Sequence, residues 1–340
     1  MKTSNKNNKK DIFVATFDDR YLLPNYFSSF IRNTLTYTDL NFITPKKTIN
    51  LRKFKSIANN NCLKLINPFA LPQYLKIEKL FDSLFVNYSS NRKFFERACF
   101  LRWFALNAAT NHLDDDQMIC LLDSDFLLGM SPSDILKLCL KHEANKEIKF
   151  IAEWNEDECY AIGPEISIMS KSYLFGFCRY LLTDYYSFQM KNILIGEYFD
   201  RIGNGLTGGV CDMRALASYS KCYPENVFNL RNLKEVEFIR SFNFFLESEV
   251  GKRFDWAIRY RDDRQILITK NGNRPLLGTH FQGNAKIHME MIYENNADMS
   301  RDIVLKNLKN RKNLIYKRMK IFNYLFNQFL RIIKRISVLF

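Results

Sequence analysis

Met118-Ile-Cys-Leu-Leu-Asp-Ser-Asp-Phe-Leu-Leu128 is an apolar, strand-like run that ends in two carboxylates, Asp123 and Asp125. A carboxylate pair released at the carboxyl end of a buried strand lies where open α/β sheets bind their ligands. Its hard oxygens suit a divalent cation, Mn²⁺ or Mg²⁺, carrying a phosphorylated substrate. Asp-x-Asp alone is a common pattern, and one of the two carboxylates could instead cap the helix that Ser131-Pro132-Ser133-Asp134 starts. The pair gains weight from Leu277-Gly-Thr-His-Phe-Gln-Gly-Asn-Ala-Lys286, far downstream. There His280 offers an imidazole ligand, Gly283 a place for backbone to approach a phosphate, and Lys286 an ammonium to neutralise it.

Around these two segments, strands alternate with helices, which implies an α/β sandwich. The apolar and β-branched runs predict strands over 11–17, 39–44, 62–66, 147–153, 254–260 and 265–269. Helical spacing predicts helices over 22–35, with Pro24 in the first turn, and over 94–109, 135–142 and 236–250. Residues 160–200 are aromatic-rich and read as mostly helical, the floor of an acceptor region. The triplet Asp114-Asp115-Asp116 reads as a solvated loop. Gly203-Asn-Gly-Leu-Thr-Gly-Gly-Val-Cys-Asp-Met213 is the densest glycine segment, either a close approach to a ligand or a plain turn. Asp212, at its end, either touches sugar or acceptor or caps a helix over 213–219.

With 340 residues, 47% hydrophobic and 15% aromatic, the chain has enough apolar surface for one large core. The net charge of +14 does not mark a nucleic-acid binder, because of where it lies. Residues 1–10 carry four lysines and no acid, and residues 301–340 carry eleven Lys/Arg against Asp302, so the tails at +4 and +10 hold the whole excess. Residues 1–10 read as a disordered basic tail and 11–300 as the catalytic body. Eight cysteines stand singly with no C-x-x-C pair, which fits reduced core thiols of a cytosolic protein and speaks against a zinc or disulfide framework. No secretory leader and no run of 18 apolar residues is seen, so no membrane span is expected.

The segments resemble, in order, those of metal-dependent glycosyltransferases of the GT-A fold, most closely glycosyltransferase family 8, the glycogenin-like and lipopolysaccharide-galactosyltransferase-like retaining enzymes. Val14-Ala-Thr-Phe-Asp-Asp-Arg-Tyr21 is similar to the family's first strand and nucleotide loop, and Arg102 to the arginine of the helix before the D-x-D. Asp123-Ser-Asp125 matches the D-x-D, and His280-Phe-Gln-Gly-Asn-Ala-Lys286 the H-x-x-G-x-x-K element. The chain departs from the family after Lys286, where Ile287-His288 replaces Pro-Trp, and in its glycine segment, which lacks the family's Asn-Ala. The resemblance implies a Rossmann-like nucleotide-diphospho-sugar transferase with Asp123, Asp125 and His280 on Mn²⁺ or Mg²⁺, Lys286 and Gly283 on the phosphates, and Arg102 at the donor. It places Thr16, Asp19 and Tyr21 around uracil and ribose, with Asp123 also on the ribose. Implied partners are a UDP-sugar and a surface-glycan or lipid-linked acceptor. Retention follows from the resemblance alone; an inverting enzyme needs a carboxylate base, for which Asp212 and Glu197 are available. A nucleotidyltransferase and a non-catalytic scaffold of the same fold are the other readings, the former lacking its glycine-rich loop after the first strand.

From residue 308 onward Leu308, Ile315, Met319, Phe322, Phe326, Phe329, Ile333, Ile336 and Phe340 recur at helical spacing, flanked by Lys and Arg. The expectation is a C-terminal basic amphipathic helix within 301–340, lying on an anionic membrane at the inner, cytoplasmic face. Packing on the body or pairing as a coiled coil is the alternative. The neutral body offers no groove for nucleic acid.

Overall fold

The computed structural model of the chain describes residues 12–20, 22–45, 62–144, 146–154, 161–205, 209–239, 257–261, 264–269, 272–281, 286, 289 and 299–300. Four parallel strands form the first half of the main sheet: β1 (Phe13–Phe17), β2 (Leu40–Ile43), β3 (Leu63–Ile66) and β4 (Met118–Leu122). The run 118–128 is two strands, since the D-x-D turn separates β4 from β5 (Phe126–Leu128), which joins a different sheet. Next to β4, and antiparallel to it, lies β7 (Ile162–Ser170), followed by β6 (Phe150–Trp154) and β8 (Val227–Asn229). The order is β3-β2-β1-β4-β7-β6-β8.

Alternation along β4 shows why the sheet is a middle layer. Cys120 and Leu122 enter one core with Phe27, Phe30, Ile135 and Cys139, while Ile119 and Leu121 enter a second with Phe100, Trp103, Phe104 and Phe177. The first core is covered by α1 (Phe27–Tyr37) and, after α2 (Pro72–Leu84) and α3 (Lys93–Ala109), by α4 (Pro132–His142). The second is covered by α2 and α3 with α5 (Lys171–Tyr180), α6 (Phe188–Gly203) and α7 (Asp212–Lys221). Helix α4 is capped by Ser131, whose hydroxyl accepts the Asp134 amide at 3.1 Å, so neither D-x-D carboxylate is spent on that cap. The cysteines described are free thiols, and Cys120, Cys139 and Cys178 are core residues.

Four expectations need correction. The stretch 160–200 is mostly helical, over 171–185 and from 188, but its first part, 162–170, is a strand buried along its whole length. The chain at 237–239 is a short strand, β9, parallel to a later one, because it completes a sheet edge; residues 240–250 lie outside the described set. The first helix starts at Phe27, after a turn in which the Phe27 amide bonds the Pro24 carbonyl at 3.1 Å. Helix α2 is absent from the expectations although Tyr74, Ile77, Phe81 and Leu84 carry its apolar stripe. The basic tails 1–10 and 301–340 lie outside the described residues.

The second sheet contains β10 (Ala257–Arg261), β11 (Arg264–Thr269), β12 (Gly272–His280) and β13 (Met299–Ser300), in the order β13-β10-β11-β12-β5. Its key pairing is β12 against β5, with His280 opposite Phe126 and Gly278 opposite Leu128. Gly278 permits that closeness: a methyl group there would stand 2.2 Å from Cζ of Phe126 and 2.8 Å from the Leu127 carbonyl oxygen. Gly278→Ala is therefore expected to destabilise the chain by about 1–3 kcal/mol through overpacking. A denaturation midpoint equal to wild type would contradict this account of the pairing.

Candidate active site

Two strand ends build the site. Strand β4 delivers Asp123 at its carboxyl end, and the turn to β5 returns Asp125, with the Phe126 amide on the Asp123 carbonyl at 3.0 Å. Strand β12 delivers His280, and the Phe281 amide bonds the Asp125 carbonyl at 2.8 Å, which locks the two segments together. One ligand atom from each of Asp123, Asp125 and His280 falls within 4.8 Å of the others. His280 Nε2 lies 3.2 Å from Asp125 Oδ1, and Lys286 Nζ lies 2.6 Å from Asp125 Oδ2. Sheet pairing thus brings the D-x-D and His280 to one place, and Lys286 joins them at Asp125. Gly283 and Tyr21 lie outside the described residues.

The electrostatics follow from burial with opposite charges. Burial pushes the Asp125 carboxyl up, but the hydrogen bond from His280 and the Lys286 ammonium override it and hold Asp125 well below the carboxylate range. Burial likewise disfavours the imidazolium of His280, yet Asp125 and Glu165 outweigh it and raise its pKa to about 10. Asp123 is pushed up to about 6 by burial, opposed by Arg102 and reinforced by Asp125. A cation reaching Nε2 must displace that proton. Metal affinity is therefore expected to rise with pH through the neutral range, by up to about tenfold per unit below pH 10, with proton release. Calorimetric titration in buffers of different ionisation heats checks it; affinity flat with pH would contradict the protonated imidazole.

Glu165 is a site residue that sequence reasoning missed. It sits on β7, 2% exposed, with its carbonyl on the Asp123 amide at 3.0 Å and Oε1 at 3.4 Å from His280 Nδ1. A carboxylate on Nδ1 orients the ring so that Nε2 faces the two aspartates, the usual arrangement behind a metal-binding histidine. Gly163 makes room for it, since a Cβ there would stand 2.1 Å from Glu165 Oε2. Glu165→Gln is expected to weaken Mn²⁺ binding by roughly 10- to 100-fold. Unchanged affinity in a paramagnetic titration would remove Glu165 from the site.

Arg102 links the D-x-D to the glycine segment. From α3 its Nη1 bonds Asp123 Oδ1 at 2.5 Å, its Nε bonds Asp212 Oδ2 at 3.0 Å, and its Nη2 makes a second ion pair with Asp212. Trp103 Nε1 donates to the same Asp212 oxygen at 2.9 Å. Glu96, on the same helix, accepts instead from Ser89 and Asn91. Asp212 stands in the first turn of α7, 2% exposed, so it both begins a helix and belongs to the cluster. Glu197 is ion-paired with Arg214.

The first loop reaches the site through Arg20, which sequence reasoning left without a role. Its Nε bonds Asp18 at 2.9 Å, and Nη2 bonds Ser124 Oγ at 3.2 Å, inside the D-x-D. Asp18 is buried by this contact and Asp19 is exposed beside it. Thr16 is fully buried within β1.

No family model matches the chain, and no curated protein matches it by sequence. Solved structures do. Mouse xyloside xylosyltransferase 1, in its apo form, overlaps 71% of this chain and 91% of its own at 8% identity and a TM-score of 0.46. The galactosyltransferase LgtC, solved with donor and acceptor sugar analogues, overlaps 80% and 88% at 12% identity and 0.38. A glycosyltransferase involved in glycosylation of the major capsid of PBCV-1 overlaps 82% and 99% at 12% identity and 0.33.

Proposed function

We propose that the chain is a metal-dependent glycosyltransferase of the GT-A fold that moves a hexose, with retention, from a UDP-sugar to a surface-glycan or lipid-linked acceptor. The observation that carries this reading is the convergence of Asp123, Asp125, His280 and Lys286 from segments far apart in sequence. Two carboxylates and one imidazole suit Mn²⁺ or Mg²⁺ and leave coordination positions for diphosphate oxygens. Such a cation, when bound, neutralises the charge that develops on a departing nucleoside diphosphate.

The remaining groups bind and orient. Lys286, half-buried, meets phosphate oxygens, while Glu165 holds the His280 ring. Arg102 bridges Asp123 and buried Asp212, and so sets the position of Asp123 toward the donor. Asp19, with Tyr21 and Gly283 of the adjoining segments, contributes to the nucleotide. The neutral body and the cationic 301–340 segment favour an anionic membrane at the cytoplasmic face over nucleic acid. Among the described residues no helix is long and apolar enough to cross a membrane.

The test is release of nucleoside diphosphate from a panel of UDP- and GDP-sugars, with Mn²⁺ and with chelator. Turnover of one donor that stops on chelation is the expected result. Pyrophosphate release from a nucleoside triphosphate plus a sugar phosphate, with no sugar transfer, would replace this reading by a nucleotidyltransferase.

A further inference from the structure

Arg20 and Lys286 reach the D-x-D turn from distant segments of the chain. The Arg20 guanidinium donates to Ser124 Oγ at 3.2 Å, and the Lys286 ammonium lies 2.6 Å from Asp125 Oδ2, so the two cations stand on successive residues of one turn. Tyr26, at the start of α1, joins them. Its hydroxyl accepts from Arg20 Nη1 at 3.1 Å, and the centroid of its ring is 5.9 Å from the guanidinium carbon and 5.3 Å from the Lys286 nitrogen.

The contact that fixes Arg20 also sets its plane. Nε donates to both oxygens of Asp18, at 2.9 and 3.0 Å, and Nη2 pairs with the same carboxylate. The Asp18 side chain is only 4% exposed, whereas that of Arg20 keeps 42% of its surface in solvent. A buried carboxylate thus grips one edge of a guanidinium that remains open to a ligand, and the rigid fork of arginine suits phosphate oxygens. Ser124 lies between Asp123 and Asp125, so the fork stands beside the carboxylates that a metal would join. Asp18 and Asp125 already answer the two cations, and Asp19, exposed in the same loop, adds negative charge. A diphosphate is therefore expected here only together with its divalent cation.

We propose that Arg20 is a second cationic contact for the diphosphate of the donor, on the same turn as Lys286, with Tyr26 as the positioning residue between them. The inference deepens the donor reading and rests on it: the metal and Lys286 take the phosphates from the side of Asp125, and Arg20 takes them from the first loop. A nucleoside without phosphates makes none of these contacts, which makes uridine the control.

The experiment measures binding of UDP and of uridine to the full chain with Mn²⁺, by equilibrium dialysis, and binding of Mn²⁺ alone. The proteins are wild type, Arg20→Gln and Asp18→Asn/Arg20→Gln, the last because Arg20→Gln by itself strands a buried carboxylate. The expected result is a loss of UDP affinity of roughly 10- to 100-fold in both variants, the effect of removing a hydrogen bond to a charged group. Affinities for uridine and for Mn²⁺ alone should stay at the wild-type level. UDP affinity unchanged in both variants would overturn the proposal and leave the donor reading standing. An equal loss for uridine would put Arg20 on the nucleoside and overturn it as well. Loss of Mn²⁺ affinity beside that of UDP in the double variant would make Arg20 a structural residue of the loop, again against the proposal. A wild type that binds no UDP in the presence of Mn²⁺ overturns the donor reading and this inference with it.

Discussion

Asp125→Asn is expected to lower Mn²⁺ affinity by more than about a hundredfold and donor turnover by on the order of a thousandfold. Asp125 holds Nε2 of His280 on one oxygen and Nζ of Lys286 on the other. Removing its charge takes one anionic ligand from the cation and leaves two cationic side chains facing a neutral amide. The fold should tolerate the change. Glu165 still faces the His280 ring, and Lys286, half-buried, turns to solvent, so the stability cost is of the order of 1–2 kcal/mol. Binding and turnover measured with thermal melts separate these effects. A variant that keeps wild-type Mn²⁺ affinity while folded would remove Asp125 from the metal set.

The second large effect falls on stability. Arg102→Ala is expected to cost about 3–5 kcal/mol, because it leaves Asp123 and Asp212 without their shared cation in a buried cluster. Only the Trp103 indole remains on Asp212. Arg102→Lys should recover less than half of the loss, since an ammonium cannot span two carboxylates with the fixed fork of a guanidinium. The double variant Arg102→Ala/Asp212→Asn should be more stable than Arg102→Ala alone, as one of the stranded charges is gone. Urea denaturation of the four proteins decides it. A loss below about 1 kcal/mol for Arg102→Ala would mean that solvent, not Arg102, balances these carboxylates.

The D-x-D was legible because two carboxylates interrupt an apolar run, and His280 and Lys286 because of their spacing about Gly283. The α/β class was legible from the alternation of strands and helices. Glu165 was not. Its strand, Ile162–Ser170, is buried on both faces, so its Gly, Pro, Glu and Ser give no period-two signal. A charged residue inside a segment with Ile166 and Ile168 was the one available hint. The Arg102 link to Asp212 joins positions 110 residues apart and becomes visible only once α3 and α7 pack on one face of the sheet. The strand Glu237–Ile239 was read as helix because three residues are too short for a period, and its partner β12 decides their conformation.

In the proposed transferase His280 and the D-x-D hold one divalent cation. The most direct measurement is electron spin-echo modulation of Mn²⁺ bound to the full chain, with and without UDP. The expected result is ¹⁴N modulation from one imidazole, lost in His280→Gln, and ³¹P coupling that appears with UDP. Tightly bound Mn²⁺ with no ¹⁴N modulation, or modulation unchanged in His280→Gln, would contradict it.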